Sequence, residues 1–396
     1  MRPLNIVVII NTLFFLLIYL FIDHENMYIL AAGAGLTLVT VLGYYIIKKA
    51  KMGDPYLFLI ISLLSSIGIT MIYRLNPSTG LRQILWYVFG VILFFLSYVI
   101  FIKIRNWESY VYLYIAGGLL LFLLTFTLGT TVKGATNWIR IGNFTFQPAE
   151  IIKIIYVFFI AAYFTYPKKL KNVYIFTGIA YLHILLLFFQ RDLGMAMLFY
   201  GIFLSVFYVF SKDQKLLLLN IAGAFAIVIV GYYTMNHVQI RFEAWINPWE
   251  NIASRGYQIT QSLFAIAEGG FFGTGLGMGR PDFIPEVHTD FIFSAICEEM
   301  GLFGGIGVVL LYFILVYRGF KIVLHTEDKF KRIVALGITL TYSYQTFIII
   351  GGVIKLIPLT GITLPFVSYG GSSLVTAFIA FGILQGISKN TQMELS

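Results

Sequence analysis

Twelve stretches of mostly apolar residues, each close to the length of one membrane span, divide this chain. An α-helix of about 20 residues is about 30 Å long, which matches the hydrocarbon thickness of a bilayer. Helices satisfy their own backbone hydrogen bonds, so such a series predicts a polytopic, all-α membrane protein. The predicted spans are residues 4–22, 27–47, 56–73, 83–102, 109–128, 150–166, 172–188, 193–210, 214–233, 291–317, 332–352 and 368–388.

The composition excludes a water-soluble globule. The residues are 59% hydrophobic and 11% charged, whereas a soluble domain has about 25% charged residues. A net charge of +9 would suggest nucleic acid in a soluble protein. In a membrane protein it indicates charge in cytoplasmic loops and attraction to anionic lipid or a pyrophosphate, so no nucleic-acid partner is expected.

The cysteine content argues against a disulfide or a Cys/His metal site, and the first apolar run argues against a cleaved signal peptide. Cys297 is the single cysteine, so there is no internal disulfide, and no Cys/His pattern has metal-site spacing. The run at 4–22 is too long for the core of a signal peptide. No small-residue cleavage site follows it, so it is expected to be retained.

The Lys and Arg residues indicate the orientation. With the N-terminus inside, 17 of the 27 fall at inner loops or termini, and Lys153 lies within a span. Cytoplasmic loops are enriched in Lys and Arg, so we expect a multi-pass protein of the cytoplasmic membrane with both termini in the cytoplasm. The nine outer cations are Arg74, Arg82, Lys133, Arg140, Arg191, Arg241, Arg255, Arg280 and Lys355.

Three outer loops are long, at about 129–149, 234–290 and 353–367. The loop at 234–290 is rich in Gly, Trp, Pro and charge, which predicts a structured loop. Functional residues are expected there, because sites are commonly built on loops that a rigid scaffold holds in place.

Asp290 closes the largest outer loop, just before a predicted span. An acid at this position could act as a general base toward a substrate outside the membrane. It could instead cap the helix, where the positive end of the helix dipole would stabilise its negative charge. Position alone leaves both roles open.

Glu298 and Glu299 fall near the outer membrane boundary, counted back from the cytoplasmic charge at Arg318. Adjacent carboxylates at that depth are costly unless they face water, a cation or a partner. A functional role and a structural ion pair both remain open. The helix could also tilt, or break at Gly301, Gly304 or Gly305.

Polar residues also open two other spans. Glu150 and Lys153 follow Gln147 and Pro148, and their spacing allows a pair on one helix face. Lys153 could instead line a polar cavity. Asp192 begins another helix, where capping alone could explain it, and a functional role stays open. Deeper in the spans, His183 and Gln345 look isolated.

The cations in the predicted outer loops suggest a binding site for an anionic ligand. Arg binds phosphate in planar, bidentate geometry, so a group of outer cations could clamp a lipid-linked diphosphate, although each alone could be a solvated surface charge. The group is Arg140, Arg191, Arg241, Arg255, Arg280 and Lys355.

The segment at 358–373 (PLTGITLPFVSYGGSS) contains two prolines and several small residues. It is typical of a re-entrant segment, which is tolerated only when buried in protein or lining a water-filled cavity. Its N–H groups could hold an anion, or its small residues could serve close helix packing.

Four motifs together resemble the SEDS family, the group of RodA, FtsW and SpoVE. They cover GATNWI at 134–139 with FQPAEIIK at 146–153, the glycine-rich 256–277, the acidic 285–301, and 358–373. The resemblance runs from the third span to the end of the chain. It implies a ten-helix core over residues 53–396, with 1–52 as two extra N-terminal transmembrane helices.

The resemblance also implies an activity. Members polymerise lipid II, the undecaprenyl-diphosphate-linked disaccharide peptide, at the outer face of the membrane, with a class B penicillin-binding protein as transpeptidase partner. It implies that Asp290 is the essential catalytic residue. The chain departs from the usual pattern at Arg191, Met195, Ile349 and Lys355, which leaves the details of the diphosphate clamp open.

We therefore expect a peptidoglycan glycosyltransferase for cell elongation, shape or division, with Asp290 as catalytic base. A divalent cation such as Mg²⁺ or Mn²⁺ could assist, but no ligand set is evident. The expected substrate-binding residues are Arg140, Gln147, Glu150, Lys153, Arg191, Asp192, Arg241, Arg255, Glu298, Ser368 and Ser372.

Two other functions remain as alternatives. A lipid II flippase would need polar residues deep in several helices, and few are found. A non-catalytic scaffold that recruits the transpeptidase would tolerate Asn at position 290.

Overall fold

A computed structural model describes residues 3–22, 27–132, 135–142, 144–166, 170, 172–211, 213–250, 252, 254 and 256–389. Within them the chain forms helices α1 (Pro3–Phe21), α2 (Tyr28–Lys49), α3 (Pro55–Leu75), α4 (Pro77–Lys103), α5 (Val111–Leu128), α6 (Pro148–Thr165), α7 (Val173–Phe189), α8 (Leu193–Phe210), α9 (Gln214–Thr234), α10 (Asn236–Ile246), α11 (Tyr257–Gly269), α12 (Ile292–His325), α13 (Lys329–Val353) and α14 (Gly371–Ser388).

The predicted all-α polytopic fold is confirmed. In the described residues, 11 helices are long and apolar enough to cross a membrane, and α7 is a shorter apolar helix. Together these are the 12 predicted spans. α10 and α11 are short helices within the predicted outer loop at 234–290, which is structured as expected.

Side-chain caps set several helix starts. Asp54 accepts a hydrogen bond from Tyr56 N at 2.9 Å, and Pro55 occupies the first turn of α3. Asn76 accepts bonds from the N–H groups of Ser78 and Thr79. Because of this second cap, α4 begins six residues before the predicted span, whose start was placed after polar residues.

The core lies around α3, whose most apolar window is 94% buried, while α6, α13 and α14 are also largely enclosed. α14 packs closely along α4. A Cβ at Gly382 would lie 2.3 Å from the Phe94 carbonyl oxygen, so this contact requires glycine.

The two N-terminal helices pack against the outside of this core. Thr40 of α2 hydrogen-bonds the Tyr87 hydroxyl at 2.9 Å, and Gly43 lies against the Phe58 ring. Only 28% of the apolar window of either helix is buried. The division of the chain at residues 52 and 53 stays a prediction.

The structure contains one feature that the sequence did not predict and decides one that it left open. A small antiparallel sheet of β1 (Gly129–Val132), β2 (Ala135–Ile141) and β3 (Phe144–Phe146) lies in the first long loop that was predicted to be outside. Helix α12 is 34 residues long and breaks at Gly301, where φ is 67° and ψ is −171°. A helix of that length would be about 51 Å long, more than one span requires.

Candidate active site

Asp290 ends a turn at the start of α12. Its N–H donates to the Glu286 carbonyl at 3.1 Å, and its side chain is half-buried. The N-cap position of α12 belongs to Phe291. The Asp290 carboxylate instead reaches the segment at 358–373, because a Cβ at Gly361 would lie 3.5 Å from its Oδ2.

Arg241 of α10 reaches the same glycine. The Cβ position of Gly361 is 3.7 Å from Nη2 of Arg241. Nη1 donates to the carbonyls of Thr360, at 2.7 Å, and Leu359, at 3.3 Å. Arg241 therefore joins α10 to the 358–373 segment beside Asp290.

The charge of Arg241 is stabilised by two acids. Burial lowers the pKa of Arg241, and the negative charges of Asp290 and Asp192 oppose this by raising it. Both carboxylates therefore act electrostatically on one half-buried guanidinium.

Asp192 caps α8 and is buried. Its Oδ1 accepts from Met195 N at 3.1 Å, while Oδ2 accepts from the side-chain amides of Asn137, at 3.0 Å, and Gln147, at 2.8 Å. Burial raises the pKa of Asp192, and these donors partly offset the effect. The contacts link β2, the start of α6 and α8.

Glu150 and Lys153 form a buried ion pair on α6. Nζ of Lys153 lies 2.8 Å from Oε2 of Glu150, and both side chains are at most 2% exposed. Thr376 of α14 donates to the same carboxylate oxygen at 3.0 Å. The pair expected from the helical spacing is therefore present and enclosed by neighbouring helices.

The sequence interpretation of Gln345 as isolated is wrong. Its Oε1 accepts from Lys153 Nζ at 3.0 Å, and its Nε2 donates to the Thr363 carbonyl at 2.9 Å. Gln345 thus connects the buried ion pair to the 358–373 segment. Its spacing along α13 gave no signal, because both partners lie far away in the chain.

The 358–373 segment is irregular before α14 begins at Gly371, and it is folded against the Asp290 turn. Ser368 is buried, donates to the Thr289 carbonyl and accepts from Leu364 N. The N–H of Tyr369 donates to the His288 carbonyl at 2.8 Å. Ser372 is also buried, and its carbonyl accepts from Thr376.

The remaining predicted cations are more peripheral. Arg140 is exposed on β2, where Nε donates to Gly142 O at 3.2 Å. Arg191 is exposed in the turn between α7 and α8, with φ of 61°. Lys355 follows α13, and its carbonyl accepts from Trp245. Arg255, Lys133 and Gly134 lie outside the described residues.

Glu298 and Glu299 lie on another part of α12. Glu299 pairs with Arg74 of α3, with 2.5 Å between Oε1 and Nε, and its Oε2 accepts from Gly277 N. Oε1 of Glu298 accepts from Arg280 N. Both acids therefore hold the glycine-rich loop at 273–280 against the Gly301 break.

The described residues contain no group of three or more His, Cys, Asp or Glu side chains that could hold a metal ion. The acids of the site are instead matched with Arg, Lys or amide donors.

The structure brings together an acid, a guanidinium and a hydrogen-bonded polar cluster, contributed by α6, α8, α10, α13, α14 and the turn before α12. Such a site could remove a proton from a hydroxyl beside Asp290 and stabilise a developing negative charge nearby. Several contributors were not singled out from sequence. Asn137, Thr363 and Thr376 are uncharged; Asn137 and Thr363 lie in recognised motifs, and Thr376 lies in none.

A family profile described as "Cell cycle protein", covering FtsW, RodA and SpoVE, matches residues 54–393. The chain is 35% identical over 374 residues to the peptidoglycan glycosyltransferase RodA of Mycobacterium leprae, covering 88% of this chain and 80% of that protein. It is 35% identical over 366 residues to stage V sporulation protein E of Bacillus subtilis, covering 86% and 98%.

Solved structures have the same fold. One, described as a study of the structural coordination of polymerization and crosslinking by a peptidoglycan synthase complex, matches with a TM-score of 0.73 and 25% identity over 86% of this chain and 99% of that one. The crystal structure of Thermus thermophilus RodA matches with a TM-score of 0.65 and 23% identity, covering 86% and 98%.

Proposed function

Because the chain belongs to the FtsW, RodA and SpoVE family, we propose that it is a peptidoglycan glycosyltransferase that polymerises lipid II, in cell elongation, shape or division. Its relatives in M. leprae and in Geobacter metallireducens carry the name peptidoglycan glycosyltransferase, the latter as a probable one. The observation that carries the proposal is the meeting of Asp290 and Arg241 at Gly361.

In the proposed reaction Asp290 is the general base. Its carboxylate takes the proton from the 4-hydroxyl of N-acetylglucosamine on incoming lipid II. That oxygen attacks the anomeric carbon of the lipid-linked N-acetylmuramic acid on the growing chain, and undecaprenyl diphosphate leaves with inversion. General-base assistance of this kind contributes roughly 10²–10⁴-fold to a rate.

Arg241 has two roles in this mechanism. Its positive charge favours the ionised carboxylate of Asp290, which is the form that can accept a proton. Its bonds to the Leu359 and Thr360 carbonyls hold the 358–373 segment, including Ser368 and Ser372, next to the acid.

We assign stabilisation of the leaving diphosphate to the cations around Asp290 and Arg241. Arg140 and Arg191 are exposed and can reach a bound anion, whereas Lys153 acts from its buried position, where Glu150 and Gln345 hold its ammonium. Gln147 and Asp192 support the same region by linking β2, α6 and α8. Arg255 and Lys355 are assigned to the same role.

The site is placed at the outer face of the cytoplasmic membrane with both termini in the cytoplasm. An even number of spans and the excess of Lys and Arg in the inner loops support this orientation. A class B penicillin-binding protein is the proposed partner, supported by the fold shared with a peptidoglycan synthase complex.

One observation favours lipid II transport as a second candidate. Glu150, Lys153 and Gln345 form a buried polar cluster between helices, and such clusters are typical of transport pathways. The cluster is hydrogen-bonded within the protein and lies near the outer helix ends, which favours the transferase.

The test is polymerisation of labelled lipid II by the purified protein with its penicillin-binding partner, beside Asp290→Asn. Asp282→Asn is the matched control, because it makes the same change at a 67% exposed acid in the same loop. We expect glycan chains from the wild type and the control and none from a folded Asp290→Asn protein. Equal product from all three would remove Asp290 from the mechanism, and no product from any would favour transport or a scaffold.

A further inference from the structure

A cavity opens beside the glycine-rich loop at 273–280. It has a volume of about 320 Å³ and lies between α11, the loop and α12. That volume is within the range of small-molecule sites, which is roughly 300–1,000 Å³. Its polar lining comes from Gln261, Glu268, Thr274, Arg280 and Glu298.

Glu298 is the unusual member of this lining. Its side chain is only 4% exposed, and while Oε1 accepts from Arg280 N, Oε2 is buried with no hydrogen-bond partner. An unpartnered buried carboxylate oxygen is costly. A donor placed in the cavity, and above all a cationic donor, would remove that cost.

The rest of the cavity lining suits an ammonium group on an aliphatic stem. Glu268 of α11 supplies a second carboxylate, and Arg280 is exposed, so its long side chain can place its charge in water. Phe264, Phe283 and Ile284 provide an apolar wall. Carboxylates beside an apolar wall suit an ammonium on an aliphatic stem better than a bare metal ion, which would need more acidic ligands.

We propose that this cavity binds the side-chain ammonium of a diamino acid in the peptide of lipid II. The inference rests on the proposed function. Asp290 lies in the turn two residues before α12, and Glu298 lies six residues after the first residue of that helix, on the order of 9 Å along its axis. A peptide extends by about 3.3 Å per residue, so the third residue of a peptide carried by the disaccharide lies about 10 Å along the peptide from it.

The experiment compares two forms of lipid II, one with a free side-chain amine and one with that amine acetylated. Loss of one partly exposed ion pair corresponds to about a five-fold change. We therefore expect the wild type to show a KM about five-fold lower for the free amine, with a similar kcat. In Glu268→Gln/Glu298→Gln the ratio of the two KM values should approach one. Gln at 298 keeps the acceptor for Arg280 N.

The matched control is Glu327→Gln, the same change at an exposed acid next to α13, which should keep the wild-type preference. Equal KM values for both substrates in the wild type would overturn the proposal. So would a preference that survives in a folded double variant. Glu268→Gln alone, at an exposed position, gives the same readout if the double variant is unstable.

A binding measurement separates this proposal from the proposed function. Calorimetry with Nα-acetyl-lysine amide and its Nε-acetylated form should show binding of the charged form alone, and none to the double variant. This would hold even if the protein polymerised nothing. If cadaverine bound equally while both lipid II forms had the same KM, the cavity would be a site for free amines, and its assignment to the substrate would be wrong.

Discussion

The carboxylate of Asp290 and the guanidinium of Arg241 converge on Gly361, within 3.5 Å and 3.7 Å of its Cβ position. The two residues are 49 positions apart in the sequence, one at the start of α12 and one on α10. Gly361 belongs to a third part of the chain. Three separate segments of the chain therefore have to fold together before the acid has its electrostatic environment.

Replacing Arg241 should move the acid limb of the pH–rate profile. In Arg241→Gln the loss of a positive charge makes the Asp290 carboxylate easier to protonate, so activity should fall at a higher pH than in the wild type. A lost electrostatic donor in a catalytic site costs on the order of 10²-fold in kcat. Polymerisation rates measured against pH provide the check.

Arg241→Lys is the companion variant. It keeps the charge but loses the planar donors that bind two carbonyls. Its pH limb should stay near that of the wild type although its rate falls. An unchanged profile in Arg241→Gln would show that Arg241 has no influence on the base.

Breaking the buried pair of α6 should destabilise the protein strongly. Lys153→Met leaves Glu150 charged among buried neighbours, which typically costs about 3–5 kcal/mol. Adding Glu150→Gln removes the stranded charge and should recover most of the loss in thermal unfolding. If the pair also serves the reaction, the stable double variant will still polymerise poorly. Recovery of both stability and activity would make the pair purely structural.

Asp192 should make stability depend on pH. Burial raises its pKa above the ordinary aspartate value of 3.8, so the folded state holds this proton more tightly than the unfolded state. The contribution of Asp192 to the free energy of unfolding is fully present below pH 3.8 and is lost as the pH rises through the raised pKa of the folded state. Over that pH range the melting temperature of the wild type should therefore fall more steeply than that of Asp192→Asn. Parallel curves of melting temperature against pH for the two proteins would contradict this.

Gly361→Ala should reduce activity more than its effect on stability explains. The φ of Gly361 is +75°, and a Cβ there costs roughly 1–2 kcal/mol. The Cβ would also stand between Asp290 and Arg241. Gly270→Ala is the control, since its φ is +52° and it faces open space. Similar melting temperatures with reduced polymerisation only in Gly361→Ala would place the effect in the site.

The length of the apolar runs was sufficient to predict the helices. All 12 predicted spans are helices in the structure, because a segment of about 20 apolar residues has no other way to satisfy its backbone in lipid. The helix starts were less certain. At α4 the cap Asn76 and Pro77 begin the helix before the apolar run does.

The sequence by itself determined the class of fold, the family and the chemical types at the site. These depend on local composition and on motifs that are continuous in the chain. Only the tertiary structure decided which polar residues meet. Gln345 looked isolated yet binds Lys153 across 192 positions, and Glu298 lines a cavity to which Asp290 does not contribute, although both belong to one motif. Such contacts come from helices packing side by side, and spacing along one helix carries no information about its neighbour.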